Sequence, residues 1–141
     1  MSTNIKEKLE KIQKLLQRLS TESAKGIPII VEGLNDEKAL RGLCITGEII
    51  QAKTFKSFIH IISEIEEREQ KEVVLLMDFD RRGREWTRRL MQNLERMRIK
   101  PNTLFWNGLL NLAGREIKDI EGLSSYIKTL KRKSRLEDSK V

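Results

Sequence analysis

The sequence VVLLMDFDRRGREW, from Val73 to Trp86, places two acidic residues directly after an apolar run of strand length. A continuous apolar run is typical of a parallel strand that is covered on both faces. Asp78 comes shortly after the aliphatic run, Asp80 stands two residues later, and arginines and a glycine come next. The stretch therefore predicts a buried strand that ends in a charged turn.

Further strands and helices alternate on both sides of this stretch. Short β-rich segments occur at PIIVEG, ITGEIIQAK and NTLFW, and segments with helical spacing of apolar residues lie between them. Strands that alternate with helices are typical of an α/β fold with right-handed crossovers between parallel strands. We therefore predict a central, mostly parallel sheet of about four strands that is flanked by helices.

An amphipathic helix is predicted near the N-terminus, before the first strand. Its apolar residues recur at spacings of three and four, with Lys, Glu and Arg between them. We expect this helix to pack on its own chain; contact with a protein partner, or self-association, is the alternative. The recurring apolar positions are Ile5, Leu9, Ile12, Leu15, Leu16 and Leu19.

The composition indicates a basic, single-domain protein. The chain has 141 residues, a usual size for one domain, and a formal net charge of +7. This surplus favours a polyanion such as nucleic acid as partner, although it also serves solubility. The single cysteine, Cys44, rules out a disulfide within the chain and points to a reducing compartment. With neither a secretory signal nor an apolar run of transmembrane length, the sequence predicts a cytoplasmic protein that binds no membrane.

Three carboxylates follow predicted strands: Glu32 follows the first, and Asp78 and Asp80 follow the third. In a parallel sheet, ligands bind beyond the carboxyl ends of the strands, so these acids converge if the two strands are neighbours. Carboxylates without histidine or thiol favour a hard cation such as Mg²⁺ or Mn²⁺. The alternative is structural, because an acid after a strand often caps the next helix, as Asp80 would for a helix that begins near Arg82.

The order of these acids resembles the Toprim domain that bacterial-type primases, topoisomerases, OLD-type nucleases and ribosomal-RNA-maturing ribonucleases share. VEGLNDEKAL looks like the first Toprim motif and DFDRRGRE like the second, and the resemblance spans roughly residues 27–106. It implies a Rossmann-like Toprim fold in which Glu32 is a general acid or base, and Asp78 and Asp80 bind Mg²⁺ in phosphodiester chemistry. It also implies that Asp36 supports the first motif rather than the metal.

Together with the N-terminal helical pattern and the charged C-terminal end, this resemblance predicts three stretches along the chain. These are an amphipathic helix at residues 1–25, a Toprim domain at residues 26–125 and a basic tail at residues 126–141.

Basic residues beside the acids and in the tail are candidate contacts to nucleic acid. Three arginines of the second motif share one helical face, where a helix N-terminus also favours phosphate; the alternative is a solvated face paired with Glu85. A second basic cluster, KTLKRKSR, lies in the tail. The predicted nucleic-acid contacts are Arg81, Arg84, Arg88, Lys131, Arg132 and Lys133.

Two functions are compatible with these residues. The first is a small Mg²⁺-dependent nuclease of the Toprim class, similar to the ribosomal-RNA-maturing ribonucleases, that processes RNA or DNA. The second is a module that binds metal and nucleic acid in a larger assembly without turnover.

Two features of the sequence favour the module. Acids of topoisomerase-like members are replaced here by Arg82 and Arg84, and no substrate-recognition domain is recognised. The intact set of Glu32, Asp78 and Asp80 favours the enzyme, because clustered carboxylates are costly without a cation. Primase-like nucleotidyl transfer ranks last, since no template-binding domain is recognised.

Overall fold

The structure is a computed structural model that describes residues 4–139. Residues 1–3 and 140–141, which the sequence assigns to the N-terminal helix and the basic tail, lie outside the described residues. No helix in residues 4–139 is both long and apolar enough to cross a membrane. The elements are α1 (Ile5–Ala24), β1 (Ile29–Val31), α2 (Leu34–Gly42), β2 (Ile49–Gln51), α3 (Phe58–Glu67), β3 (Glu72–Leu76), α4 (Arg81–Arg96), β4 (Lys100–Asn102), α5 (Leu104–Ala113) and α6 (Leu123–Ser139).

The four strands form one parallel sheet in the order β2-β1-β3-β4. The chain passes from β1 to β2 on one side and then crosses back to β3 on the other side of β1. The direction of winding therefore reverses between β1 and β3, and the carboxyl ends of these two strands flank the crevice where parallel sheets bind ligands. The prediction of an α/β fold with about four mostly parallel strands is confirmed.

Helices cover both faces of the sheet and produce two apolar cores. Side chains of β3 alternate between the two faces, as the geometry of a strand requires: Val74 and Leu76 join one core, and Val73, Leu75 and Met77 join the other. Helices α1, α2, α5 and α6 contribute to the first core, and α3 and α4 contribute to the second. The central strand is therefore buried on both sides, as its continuous apolar run predicts.

The amphipathic helix α1 packs on its own chain. Its apolar stripe places Ile12, Leu16 and Leu19 in the first core, where α1 contacts α5 and α6. An ion pair between Lys6 and Asp138 also joins α1 to α6. Packing within the chain, the preferred prediction, is confirmed, whereas self-association through this helix stays a prediction.

The predicted strand at NTLFW is wrong for most of its length. Strand β4 ends at Asn102, and helix α5 begins at Leu104. The backbone N–H of Leu104 donates to Asn102 Oδ1 at 3.0 Å. Phe105, Trp106 and later apolar residues of α5 lie on one helical face and fill the first core. Aromatic residues favour strands, but burial of this face stabilises a helix here.

The last helix is part of the core. Ile127 and Leu130 of α6 are buried in the first core beside residues of α1. The division of the chain into three stretches at residues 25 and 125 is not tested by this packing and stays a prediction.

Candidate active site at the carboxyl ends of β1 and β3

The carboxyl ends of β1 and β3 bring two of the predicted site residues together. The two strands are neighbours, and Val31 is aligned with Leu76. Glu32, which follows β1, is 3% exposed, and its Oε2 accepts a hydrogen bond of 2.9 Å from the backbone N–H of Asp78. The convergence that the sequence predicts is therefore present for Glu32 and Asp78.

The Asp78 side chain is half-buried, and its carboxyl lacks a full set of hydrogen-bond partners. Its Oδ1 atom is buried and has no hydrogen-bond partner among the described residues. The pKa of Asp78 is raised to about 8, first by burial and then by a side-chain hydrogen bond with Glu32 and by the charges of Glu32, Asp36 and Asp119. A hydrogen bond between two carboxyl groups requires a proton on one of them. Without a cation, burial beside Glu32 therefore favours the protonated form of Asp78.

Asp36 uses both carboxylate oxygens to hold backbone. Its Oδ2 accepts the N–H of Gly33 at 3.1 Å, at the start of α2, and its Oδ1 accepts the N–H of Glu121 at 3.0 Å. Burial raises the pKa of Asp36, while these two hydrogen bonds oppose the shift. With both oxygens occupied, Asp36 joins the turn after β1 to a segment far along the chain.

Asp80 caps helix α4. Its Oδ1 accepts the N–H of Gly83 at 2.7 Å, and the side chain is exposed at the helix N-terminus. In residues 4–139, no group of three or more His, Cys, Asp or Glu side chains is arranged to hold a metal ion. The capping role that the sequence left open for Asp80 is present, and its assignment with Glu32 and Asp78 as a metal ligand stays a prediction.

A segment between α5 and α6 closes the site. The N–H of Phe79 donates to the carbonyl of Lys118 at 2.7 Å, so the turn after β3 is bonded to the same segment that binds Asp36. Asp119 lies close enough for its charge to raise the pKa of both Asp36 and Asp78. Asp119 is not among the site residues predicted from the sequence.

The three arginines predicted to bind nucleic acid are all exposed on α4. Only Arg84 has a side-chain hydrogen bond to the site among the described residues: its Nε donates to the carbonyl of Phe79 at 3.0 Å. Phe79 lies between Asp78 and Asp80, so this bond holds the Arg84 guanidinium beside the acidic turn.

The neighbouring arginines have a different environment. Arg82 lies 5.4 Å from the centre of the Trp86 ring, and Arg89 lies 3.9 Å from the centre of the Phe58 ring. The Phe58 and Trp86 rings are themselves 4.9 Å apart. These contacts direct Arg82 and Arg89 to the surface between α3 and α4 rather than to the carboxylates.

The predicted basic residues of the tail lie on the exposed side of α6. Lys131, Arg132 and Lys133 are all exposed. Lys133 faces a cavity that it shares with Lys8 of α1 and Tyr126, whereas Lys131 and Arg132 do not line that cavity. Nucleic-acid contact by these residues stays a prediction.

Comparison with known proteins identifies the family. The UPF0292 protein of Methanosarcina barkeri is 36% identical over 129 residues, which cover 92% of this chain and 89% of that protein. The chain belongs to the UPF0292 family. The UPF0292 protein of Methanocaldococcus jannaschii is 38% identical over 122 residues, covering 86% of this chain and 93% of that protein. Among solved structures, a putative protein from Aquifex aeolicus has a TM-score of 0.64 and 25% identity, covering 77% of this chain and 94% of that one.

These relatives correct the family assignment made from motifs. No protein-family model matches the chain, and the relatives carry the name UPF0292 rather than Toprim. Assignment to the Toprim family is therefore wrong. It rested on two short motifs, whereas the similarity to UPF0292 proteins extends over most of the chain.

Proposed function

We propose that this UPF0292 protein carries out Mg²⁺-dependent phosphodiester chemistry on nucleic acid, cutting or processing RNA or DNA. The observation that carries the proposal is the Glu32–Asp78 pair at the switch point of the sheet, where the Oδ1 atom of Asp78 is buried without a partner. A buried acceptor without a donor is costly, and a cation would satisfy it.

The chemistry of the donor set fits Mg²⁺, and also Mn²⁺. Magnesium is usually bound through one or two carboxylates together with substrate phosphates and water, so a set of three protein carboxylates is not needed. Glu32 and Asp78 would hold it. When bound, the ion would neutralise charge on a phosphate and so favour attack at phosphorus.

The side chains of this protein would perform the remaining tasks. Glu32 is buried and held by the N–H of Asp78, which suits a general acid or base that moves the proton of the attacking or leaving hydroxyl. Arg84, fixed on the carbonyl of Phe79, would hold a phosphate beside the acids. Asp36 would keep the two acidic turns in place through its bonds to Gly33 and Glu121.

A second candidate function is a metal- and nucleic-acid-binding module without turnover. It is favoured by the use of Asp80 as a helix cap and by the lack, in the described part of the chain, of a group of three metal-binding side chains. Both candidates require nucleic-acid binding, and only the first requires chemistry.

The experiment is Mg²⁺- and Mn²⁺-dependent cleavage of labelled single- and double-stranded RNA and DNA, with binding measured in the same samples. We expect Glu32→Gln to lower the cleavage rate by roughly 10² to 10⁴-fold, the range of a lost acid or base. Asp78→Asn should also lower the rate, because it removes a charged ligand of the metal. Asp80→Asn separates the two roles of Asp80, because asparagine caps a helix as well as aspartate does and removes only the charge. Cleavage kept in this variant assigns Asp80 to the cap, and cleavage lost in it assigns Asp80 to the metal.

The outcomes separate the two candidates. Cleavage that is lost in Glu32→Gln and Asp78→Asn supports the enzyme. Binding without cleavage in every protein supports the module. A wild-type protein that neither binds nor cuts any of the four substrates contradicts both.

A further inference from the structure

A groove leads away from the acidic turns between α1, α4, α5 and α6. Its larger part has a volume of about 510 Å³ and includes Lys8, Arg84 and Arg115 in its lining. An adjoining part of about 310 Å³ includes Lys8 again, with Tyr126 and Lys133. Because the two parts share Lys8 and Glu116, they form one continuous surface, which we call the basic groove.

The basic groove carries an excess of positive charge. Four cations line it, and Glu116 is its one acid. The ion pairs found in residues 4–139 involve other cations, so none of these four is in an ion pair with a described residue. Unpaired like charges around a concavity attract an anion and concentrate it there. The four cations are Lys8, Arg84, Arg115 and Lys133.

One of these cations also belongs to the candidate active site. Arg84 lines the groove, and its Nε donates to the carbonyl of Phe79, between Asp78 and Asp80. A chain that occupies the groove would therefore contact Arg84, the side chain that connects the groove to the acidic turn. The groove also places one residue from each of two clusters that the sequence suggests separately, Arg84 of α4 and Lys133 of α6, on one surface with Lys8 of α1.

The lining favours a strand of nucleic acid over a small anion. Asn107 and Asn111 stand one turn apart on α5 and offer amide donors and acceptors to phosphates and sugars. Tyr126 is half-buried in the second part of the groove, where its ring can stack on a base. The volumes are those of small-ligand sites, which accommodate a few nucleotides of a single strand and not the width of a duplex.

We propose that the basic groove binds a single-stranded nucleic acid and directs it to or from the Glu32–Asp78 pair. This proposal rests on the proposed function, because it treats the carboxylate pair as the place where the strand is processed. The bound nucleic acid would contact α1 and α6 as well as Arg84 beside the turn after β3.

The test is fluorescence anisotropy of labelled 12-nucleotide single strands, RNA and DNA, with a duplex of the same length, over a series of salt concentrations. The groove variant is Lys8→Gln/Lys133→Gln. The matched control is Lys14→Gln/Lys71→Gln, which removes the same charge from exposed positions that do not line the groove. Circular dichroism checks that each variant is folded.

We expect the groove variant to bind single strands about tenfold more weakly than the control. Its slope of log K against log salt should be smaller by about 1.4, the value for two lost phosphate contacts on a single strand. An equal loss in both variants, no loss in either, tighter binding of the duplex, or no binding by the wild type would overturn the proposal. So would an equal loss in Lys131→Gln/Arg132→Gln, whose residues share α6 with Lys133 but lie outside the groove.

Failure of the groove and failure of the proposed function give different results. If the wild type cleaves with Mg²⁺ and the groove variant binds and cleaves like the control, the groove proposal fails and the enzyme stands. If no protein cleaves but the groove variant binds more weakly than the control, the groove stands and the catalytic function fails.

Discussion

The turns after β1 and β3 have the same plan but differ in how their acids are satisfied. At each turn, one acid stabilises the start of the following helix: Asp36, in the first turn of α2, accepts the N–H of Gly33 before the helix, and Asp80, before α4, accepts the N–H of Gly83 within the helix. The other acid faces the opposite turn, where Glu32 accepts a bond and Asp78 leaves Oδ1 without one. The difference teaches that hydrogen-bond partners, and not spacing in the sequence, separate acids that hold the fold from acids that are free to bind a ligand.

The largest expected effect comes from the contact between the turn after β3 and helix α4. A Cβ atom at Gly83 would lie 2.0 Å from the carbonyl oxygen of Asp78, a backbone atom that cannot move away cheaply. We expect Gly83→Ala to lower the free energy of unfolding by about 3 kcal/mol, as measured by urea denaturation. Gly42→Ala is the control, since a Cβ there meets no atom within 4 Å. Equal stability of the two variants would show that the turn tolerates displacement.

The next effect tests the satisfied acid of the first turn. Asp36→Ala leaves the N–H groups of Gly33 and Glu121 without their acceptor. We expect the free energy of unfolding, measured by urea denaturation, to fall by about 2 kcal/mol. Asp36→Asn keeps one acceptor oxygen and should lose less. Wild-type stability in Asp36→Ala would place Asp36 with the ligand-binding acids rather than the structural ones.

Replacing Asp78, the acid of the second turn without a full set of partners, should raise stability rather than lower it. The pKa of Asp78 is raised from 3.8 to about 8, so its contribution to stability is complete below pH 3.8 and is lost as the pH rises to about 8. Asp78→Asn should therefore be more stable than the wild type at pH 9 without metal. Because Asp78 is half-buried, screening by solvent limits the gain to about 1 to 2 kcal/mol.

The measurement is urea denaturation between pH 3.5 and 9 in the presence of EDTA. The difference between Asp78→Asn and the wild type should grow with pH, and Mg²⁺ should reduce it by stabilising only the wild type. A difference that stays constant over this pH range would mean that Asp78 already has its charge satisfied in the folded chain.

The smallest effect separates capping from metal binding in Asp80. Asp80→Ala removes the bond to the N–H of Gly83 and should cost about 1 kcal/mol of stability, as typical helix caps do. Asp80→Ser, which restores a cap without a carboxylate, should recover most of it. If Asp80→Ser instead lost affinity for Mn²⁺ in calorimetry, the cap would also be a metal ligand.

Much of the fold could be predicted because its signals are local. The apolar run before Asp78 indicates a strand covered on both faces, and the stripe that includes Ile12 and Leu19 indicates a helix with one buried face. The segment at Leu104 to Trp106 was misassigned because aromatic residues fit either element, and burial against the first core selects the helix.

The site could be predicted only in part because its contacts are not local. Alternation of elements favours parallel strands but does not specify that β1 and β3 are neighbours, and this order is what joins Glu32 to Asp78. The position of Asp119 depends on bonds between its segment and the two acidic turns, which lie far away in the sequence, so spacing alone does not place it in the site. The two possible roles of Asp80 differ by a single hydrogen bond, which spacing cannot reveal.

The bonds from Asp36 to Glu121 and from Phe79 to Lys118 also set when the site is assembled during protein synthesis. Both acidic turns leave the ribosome before the segment that joins them. At typical rates of translation, the roughly 40 residues after Phe79 take about 2 to 8 seconds to add. A nascent chain that stalls in this interval carries Glu32, Asp36, Asp78 and Asp80, but it lacks both Asp119 and the segment that bonds to the two turns. We therefore expect the bonds of Asp36 to Glu121 and of Phe79 to Lys118 to form several seconds after the two acidic turns have been synthesised.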